Sequence, residues 1–371
     1  MKQTKEVVRN MKRIIKRITK IVIIVVLAIV LVAALGLGYF TIVEYNPKDI
    51  EPLTINNNAE TKVELDTDIA VLTFNIGYAG LGKDEDFVLD GGKKSRPDSK
   101  DVVERYLAGI KTVLTSLPTD IIMLQEVDLD SRRSYNINEA KEIEEALGNA
   151  YSSTFAYNYN ARFVPFPVSF KNYLGKVESG IFTLTKYHVK SSHRHQFPGA
   201  FAWPVRTVNL KRAMMVNVLP INNSDKELVV VNLHMSAYDG DGSLRAQEMK
   251  MLKDFLNEQS AKGNYVIVGG DFNQTFPEAK GIYPAKPGYY VAYPIEDDFL
   301  PGGYTFAIDT EKPSCRLLNE PYDKNSPNTQ YYIIDGFIVS NNIKINNVDT
   351  IDLDFKYSDH NPVSMSIKLL S

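Results

Sequence analysis

The chain has 371 residues, of which 44% are hydrophobic, enough apolar material for a large globular core and compatible with one large α/β domain. Its single cysteine, Cys315, excludes an intrachain disulfide framework. The net charge of −3 conceals two opposite parts: residues 1–20 carry eight Lys or Arg against one acid (+7), which leaves 34 basic and 44 acidic groups (−10) for the rest. An outer part this acidic is not a strong nonspecific nucleic-acid binder, although a local basic groove remains compatible with it.

In chain order, the basic segment 1–20 precedes "IVIIVVLAIVLVAALGLGYF", residues 21–40, a run without a charge. At about 1.5 Å of rise per residue, this run spans a hydrocarbon core of about 30 Å. It is longer than the apolar region of a cleaved signal peptide and no A-x-A-like exit follows, so the expectation is an uncleaved signal anchor. The positive-inside rule then places residues 1–20 in the cytoplasm and the rest outside, as in a single-pass plasma-membrane protein. Residues 41–65 mix Pro, Asn and charge with little periodicity and read as a stalk leading to a catalytic domain at 66–371.

Beyond the stalk, strand-like runs alternate with helical ones. "IAVLTFNIG" (69–77) reads as a strand, and residues 99–117 read as a helix behind a Ser99 cap. "DIIMLQEVD" (120–128) is a second strand, followed by a helix at 138–148 closed by Gly148. Further strands are expected at 179–187, 212–220, 227–234, 264–271, 331–340 and 361–369, with an amphipathic helix at 243–259. Many of these strands are Val/Ile-rich throughout, as expected when both faces are buried in stacked layers, which indicates an α/β fold.

Strong polar residues fall at the carboxyl ends of these apolar runs. Asn75 follows "VLTF", Glu126 follows "IIMLQ", His234 follows "VVVNL", Asp271 follows "VIVGG" and Asp335 follows "YYII". Strand ends are where α/β folds collect ligands on a rigid scaffold. Carboxylates gathered there repel unless a cation holds them, so Glu126 with Asp271 or Asp359 implies a hard divalent ion on oxygen ligands, Mg2+ ahead of Mn2+ or Ca2+. No Cys/His cluster suits zinc, and His188, His193 and His195 lie in a polar run that reads as a loop.

The motifs "LTFNIG", "LQEVD", "ESGIFTLTKY", "VVVNLH", "VGGDFN", "IIDGFIVS" and "YSDHNPV" occur in the order and near the spacings of the endonuclease/exonuclease/phosphatase superfamily, which the chain resembles over about residues 66–371. That resemblance implies a deoxyribonuclease I-like four-layer α/β/β/α sandwich and phosphoester hydrolysis with Mg2+. By matching position it implies Glu126, Asn75 and Asp359 at the metal, with Asp271 orienting or deprotonating the attacking water. It also implies Asn273 and His234 on phosphoryl oxygens, and His360 facing the charged phosphoryl group with its tautomer fixed by Asp335. Glu178 resembles the acid that pairs with His234 in the deoxyribonuclease branch. Some branches carry an acid two positions after the first Asn, where this chain has Gly77.

The residues agree with this chemistry. In-line displacement at phosphorus needs an oriented nucleophile and donors aimed at developing negative charge. Alternation along an extended segment would put Asp271 and Asn273 on one face, a base beside a neutral donor. Arg212 reads equally as a phosphate contact or a solvated edge residue.

The substrate stays open between a nuclease displayed on the outer face and a phospholipid phosphodiesterase or phosphatase. Motif order, through Glu178 and His234, leans to the nuclease; the acidic charge leans the other way. Aromatic segments at 151–173 and 197–203, the latter with the lone Trp203, would stack on bases, enter a lipid interface or simply pack. A non-catalytic surface binding protein is the reading from a different class. No obligate protein partner is evident.

Overall fold

The structure, a computed structural model, describes residues 2–169 and 171–371. Phe170, one of the aromatics in the 151–173 segment, lies outside them. The chain opens with α1 (Lys2–Ile42) and two short strands, β1 (Ile50–Pro52) and β2 (Ile55–Asn56). A first unit follows: β3 (Asp68–Asn75), α2 (Lys100–Ser116), β4 (Ile121–Asp128), α3 (Glu139–Leu147), β5 (Ser152–Val164) and β6 (Gly175–Thr185). The second unit holds β7 (Ser191–Gln196), β8 (Ala213–Pro220), β9 (Glu227–His234), α4 (Ser243–Lys262) and β10 (Tyr265–Asp271). It is completed by β11 (Tyr304–Ala307), β12 (Cys315–Arg316), β13 (Tyr331–Tyr332) and β14 (Asp335–Ser340). The chain closes with β15 (Ile343–Thr350) and β16 (Val363–Leu369).

These strands form two seven-stranded mixed sheets, β15-β16-β3-β4-β6-β5-β2 and β1-β7-β8-β9-β10-β14-β11, plus the small β12-β13 ribbon. Period-two alternation assigns each side chain to a layer. Val71, Ile121 and Met123 meet Leu228, Val230 and Ile267 between the sheets. Their sequence neighbours Leu72, Ile122 and Leu124 pack outward against Val103 and Ile110 of α2 and Ile143 of α3. Val229, Val266 and Val268 pack outward against Leu252 and Leu256 of α4. The result is the expected four layers, helix on sheet on sheet on helix.

Several expectations change in detail. The 41–65 segment does not stand off as a stalk: β1 pairs with β7, β2 with β5, and the buried Val63 bridges to Ile221. Its short strands pair with the otherwise open edges of β7 and β5. His193 and His195 belong to β7, not to a loop. Ser99 sits at the cap position of α2 but its hydroxyl caps nothing, while Gly148 ends α3 as expected with φ 74°. The 331–340 run splits into β13 and β14, so Asp335 begins a strand. Because β14 runs antiparallel to β10 and pairs Asp335 with Asp271, its first residue lies at the same end of the sheet as the last residue of β10.

A polar clasp joins the sheets beneath that end. Gln125 Nε2 donates to Asn232 Oδ1 (2.8 Å), and Asn232 Nδ2 donates to the Leu124 and Phe182 carbonyls (3.1 and 3.2 Å). Both side chains are fully buried, so each unmade bond would carry its whole desolvation cost.

The glycine pair before Asp271 has a steric reason. Gly270 has φ 148°, and a Cβ there would lie 2.0 Å from the Leu233 carbonyl oxygen of the adjoining strand. Gly270→Ala is therefore expected to cost about 3 kcal/mol or more, read as a lowered urea midpoint. Gly240→Ala, where a Cβ meets nothing within 4 Å, is expected to stay within about 0.5 kcal/mol.

Candidate active site

Alternation explains which side chains meet. Asn75, His234, Asp271 and Asp335 share the parity of the inter-sheet residues of their strands, so at the strand ends they point into the gap where the sheets part. Glu126 has the opposite parity. It reaches the same space because β4 is bulged between Leu124 and Val127 and Glu126 itself has φ 54°. A bulge with one left-handed residue is a common way to re-aim a side chain beside an active site.

Asp271 is the hub. Its Oδ2 accepts from Asn75 Nδ2 (3.0 Å) and lies 3.3 Å from His234 Nε2 and 3.8 Å from His360 Nε2; its Oδ1 accepts from the Asn273 backbone N–H (2.8 Å). Asn273 is brought beside Asp271 by this Asx turn, with φ 51°, and not by strand alternation, because β10 stops at Asp271. One hydrogen of its carboxamide goes to the Met235 carbonyl (2.8 Å), leaving the other for a ligand.

His360 Nδ1 donates to Asp335 Oδ2 (2.8 Å), which also accepts from Ser314 Oγ (2.8 Å). Ser358 Oγ donates to the Asn75 carbonyl (2.8 Å) and lies 3.2 Å from Asp359 Oδ1. Ser314 and Ser358 were not singled out in the sequence, where an isolated serine in a loop carries no signal. Gly77 has φ 53°, and a Cβ there would press to 3.0 Å from Asp359 Oδ1, so the position that is acidic in some branches is closed to a side chain here.

The two histidines are electrostatically unlike. Burial disfavours a charge on His360, but Asp335, with Asp359 adding, outweighs it and holds the imidazole well above its ordinary value. Burial, with Arg212, His360 and Arg133 adding, drives His234 well below, so it stays neutral. Burial also pushes the Asp271 carboxyl up, with Asp335 adding and His360 opposing. Asp359 is pushed up to about 6, first by burial, with His360 opposing and Glu126 adding. Cys315, beside His360, is pushed by burial up to about 12 and remains a neutral thiol.

The residues fit a divalent cation. Glu126 accepts no hydrogen bond among the described residues, and the neutral His234 imidazole lies 4.0 Å away through Nε2. Asp359 Oδ2 is 3.9 Å from His360 Nε2. Two carboxylates that line one cleft and offer oxygen donors alone match Mg2+ or a related hard ion. Asn75 has both ends of its carboxamide engaged, Nδ2 with Asp271 and Oδ1 with the Gly77 N–H (3.0 Å), so it would reach a metal through one remaining lone pair.

Glu178 is not part of this constellation. Its carboxylate pairs with Lys176 (2.7 Å). His234 instead faces Asp271 and Glu126. Arg212 proves to be in the site: it lines the cleft, and its buried Nη1 has no partner.

The profile of the Endonuclease/Exonuclease/phosphatase family matches residues 72–360. The chain belongs to that family. Its members are metal-dependent hydrolases of phosphoester bonds, and this chain is a phosphoester hydrolase by membership. Among solved structures, a family protein from Beutenbergia cavernae DSM 12333 is similar at TM-score 0.57 and 15% identity, covering 82% of this chain and 72% of its own. One from Bacteroides vulgatus gives 0.51 and 16%, covering 82% and 99%. One from Leptotrichia buccalis C-1013-b gives 0.52 and 17%, covering 81% and 99%. At such identities these structures share the fold. No curated protein matches the sequence significantly.

A buried acid behind the site gives a pH test. Glu248 accepts from Ser236 N–H (2.9 Å) and Oγ (2.6 Å), and burial pushes its carboxyl up to about 7 against those bonds and the charge of Arg212. A carboxyl raised on folding binds protons more tightly in the folded state, so its contribution falls as pH rises from its ordinary 4.5 through about 7. Glu248→Gln keeps an acceptor for Ser236 without the charge. The melting temperature of this variant should gain on the parent's as pH rises across that window; a gap independent of pH would show that the carboxyl is ionised throughout.

Proposed function

We propose that the chain is a Mg2+-dependent phosphodiesterase whose catalytic domain is held by α1 on the outer face of a membrane. The observation that supports it most is the Asp271 carboxylate, fixed by Asn75, His234 and Asn273 and set among His360, Asp359 and Glu126. A bound Mg2+, on Glu126 and Asp359 with Asn75 contributing, would supply charge neutralisation at the phosphoryl oxygens.

The rest of the chemistry falls to side chains. Asp271 takes a proton from the attacking water, and its raised basicity suits a base working near neutral pH. His360, charged and oriented by Asp335, donates Nε2–H to a phosphoryl oxygen as negative charge grows. Neutral His234 holds Asp271 and adds no charge of its own, while Arg212 and the remaining Asn273 N–H face the phosphate. The sequence preference for a nuclease rested partly on a His234–Glu178 pair; the ion pair of Glu178 with Lys176 removes that support.

The membrane assignment rests on α1, which is long and apolar enough to cross a bilayer from Thr4 to Ile42 and whose most apolar stretch is not buried against the domain. The basic residues at its start argue for a cytoplasmic amino terminus. Protease added to intact cells should then remove the catalytic domain and leave α1 behind; a domain protected until lysis would overturn the topology.

With full-length enzyme and a soluble aryl phosphodiester, EDTA should abolish turnover and Mg2+ restore it. Asp271→Asn and His360→Ala should each lower kcat/KM by about 10²-fold or more. Glu178→Ala should stay within about twofold, a surface ion pair away from the reaction. Loss of activity in that variant equal to the others would restore Glu178 to the catalytic set.

A further inference from the structure

The cleft above Asp271 encloses about 570 Å³ and is built unlike a polyanion track. Its floor holds the catalytic groups, but its walls are aromatic and aliphatic: Val164, Phe166 and Leu174 on one side, Phe201, Val205 and Val208 on another. Among the described residues, no lysine lines it and three arginines do, Arg133, Arg212 and Arg316. Arg133 is bound to Asp128 (2.9 Å), and Arg316 donates to the backbone carbonyls of Gly82, Glu85, Leu317 and Glu320. That leaves Arg212 as the one uncommitted cation among the described lining residues, enough for one phosphate group. Binding of a nucleic-acid strand draws on many phosphate contacts.

The same two wall segments meet the outer end of α1. Phe40 stacks on Phe163 at the tip of the β5-β6 hairpin (6.4 Å between ring centroids, 12° between planes). Thr41 Oγ1 accepts from Trp203 Nε1 (3.1 Å), just before the turn at Val205–Val208. Glu44 pairs with Lys211 at 2.7 Å, fixing the exit of the helix to this face of the domain. The apolar run of α1 ends at Phe40, so Phe163 and Trp203 stand at the level where a crossing helix leaves the hydrocarbon. Around them Val168 is 100% exposed and Trp203 and Val205 are each 52% exposed. The hairpin tip, 161–174, adds Arg162 and Lys171 and no acid, a local reversal of the domain's charge.

Resting on the phosphodiesterase reading above, we infer that the cleft opens onto the bilayer that α1 crosses and that its substrate is a membrane phospholipid. The 161–174 tip and the 201–208 loop lie in the interface, the apolar walls receive the upper hydrocarbon, and the phosphate reaches Arg212 and the catalytic floor. In the reaction water adds to phosphorus, one P–O ester bond breaks and the leaving oxygen gains a proton, so that diester and water give a phosphomonoester and an alcohol.

The test uses the full chain in vesicles of phosphatidylcholine and phosphatidylglycerol with Mg2+, scoring phospholipid cleavage beside a soluble aryl phosphodiester and single-stranded DNA. Val168→Asp and Trp203→Asp alter residues that do not line the cleft, and the readout is the ratio of lipid to soluble-diester turnover. The inference expects phospholipid cleavage by the parent and a ratio at least about tenfold lower in both variants, since a charge is costly in the interface. An unchanged ratio would overturn the docking of the tip. Cleavage of the soluble diester or DNA without phospholipid cleavage would overturn the substrate class and leave the phosphodiesterase standing. Cleavage of nothing would overturn that reading too.

Discussion

The hydrogen bond from Asn75 to Asp271 runs from the end of β3 in one sheet to the end of β10 in the other, at 3.0 Å with both side chains buried. It forms only if the two sheets are held in one register, and the rest of the site depends on that register. The clasp of Gln125 and Asn232 sets it one residue pair further in, where both groups are sealed from water. Apolar packing alone would tolerate a small slide of one sheet over the other. A buried polar pair does not, because a slide would leave donors and acceptors without partners.

Register brings carboxylates together, and their mutual repulsion shapes the electrostatics of the site. Asp271, Asp335 and Asp359 are buried around one imidazole, and burial weakens the charged form of Asp271 and Asp359. The cluster is tolerable because His360 is charged, and the proposed cation on Glu126 and Asp359 would relieve it further. His234, a few ångströms from the same Asp271 oxygen, stays neutral because burial disfavours its charge, with Arg212 and His360 adding, and no acid is tied to its Nδ1. Two buried histidines thus differ in charge, His360 protonated and His234 neutral. The strongest contribution in favour of the charge on His360 is Asp335, which has no counterpart on His234 Nδ1.

Much of this was legible in the sequence because strand ends are a local feature: an apolar run that stops on Asn, His or Asp announces both the strand and the position of the polar group. Parity along the strand even predicts the facing of Asn75, His234 and Asp271. What parity cannot show is a change of conformation at one residue. Glu126 lies in the gap through a bulge and Asn273 through a left-handed turn, and neither has a sequence mark beyond the motif in which it stands. Glu178 and His234 illustrate the opposite limit. Their order along the chain matches a known pattern, but order says nothing of which way a strand-borne carboxylate points, and a lysine two residues away on the same face captured it. The edge strands at 50–56 were invisible for a simpler reason, since two- and three-residue strands have no periodicity to read.

The charge of the domain and the character of its cleft have to be considered together. A net of −10 beyond residue 20 repels a diffusing polyanion at long range, and the cleft lacks the basic track that would compensate. For an enzyme that must find its substrate in solution this combination is a handicap. For one tethered beside it, long-range steering contributes little, because confinement to a surface already sets a high effective concentration. The geometry is consistent with that economy: the short segment from Ile42 to Ile50 is bound along the domain by Glu44 and β1, so the domain cannot swing far from the helix that ends beside its cleft. In the proposed topology, rigidity at this joint would fix which face of the domain meets the bilayer, and that face carries exposed aromatic and aliphatic side chains whose burial in lipid would stabilise the orientation further.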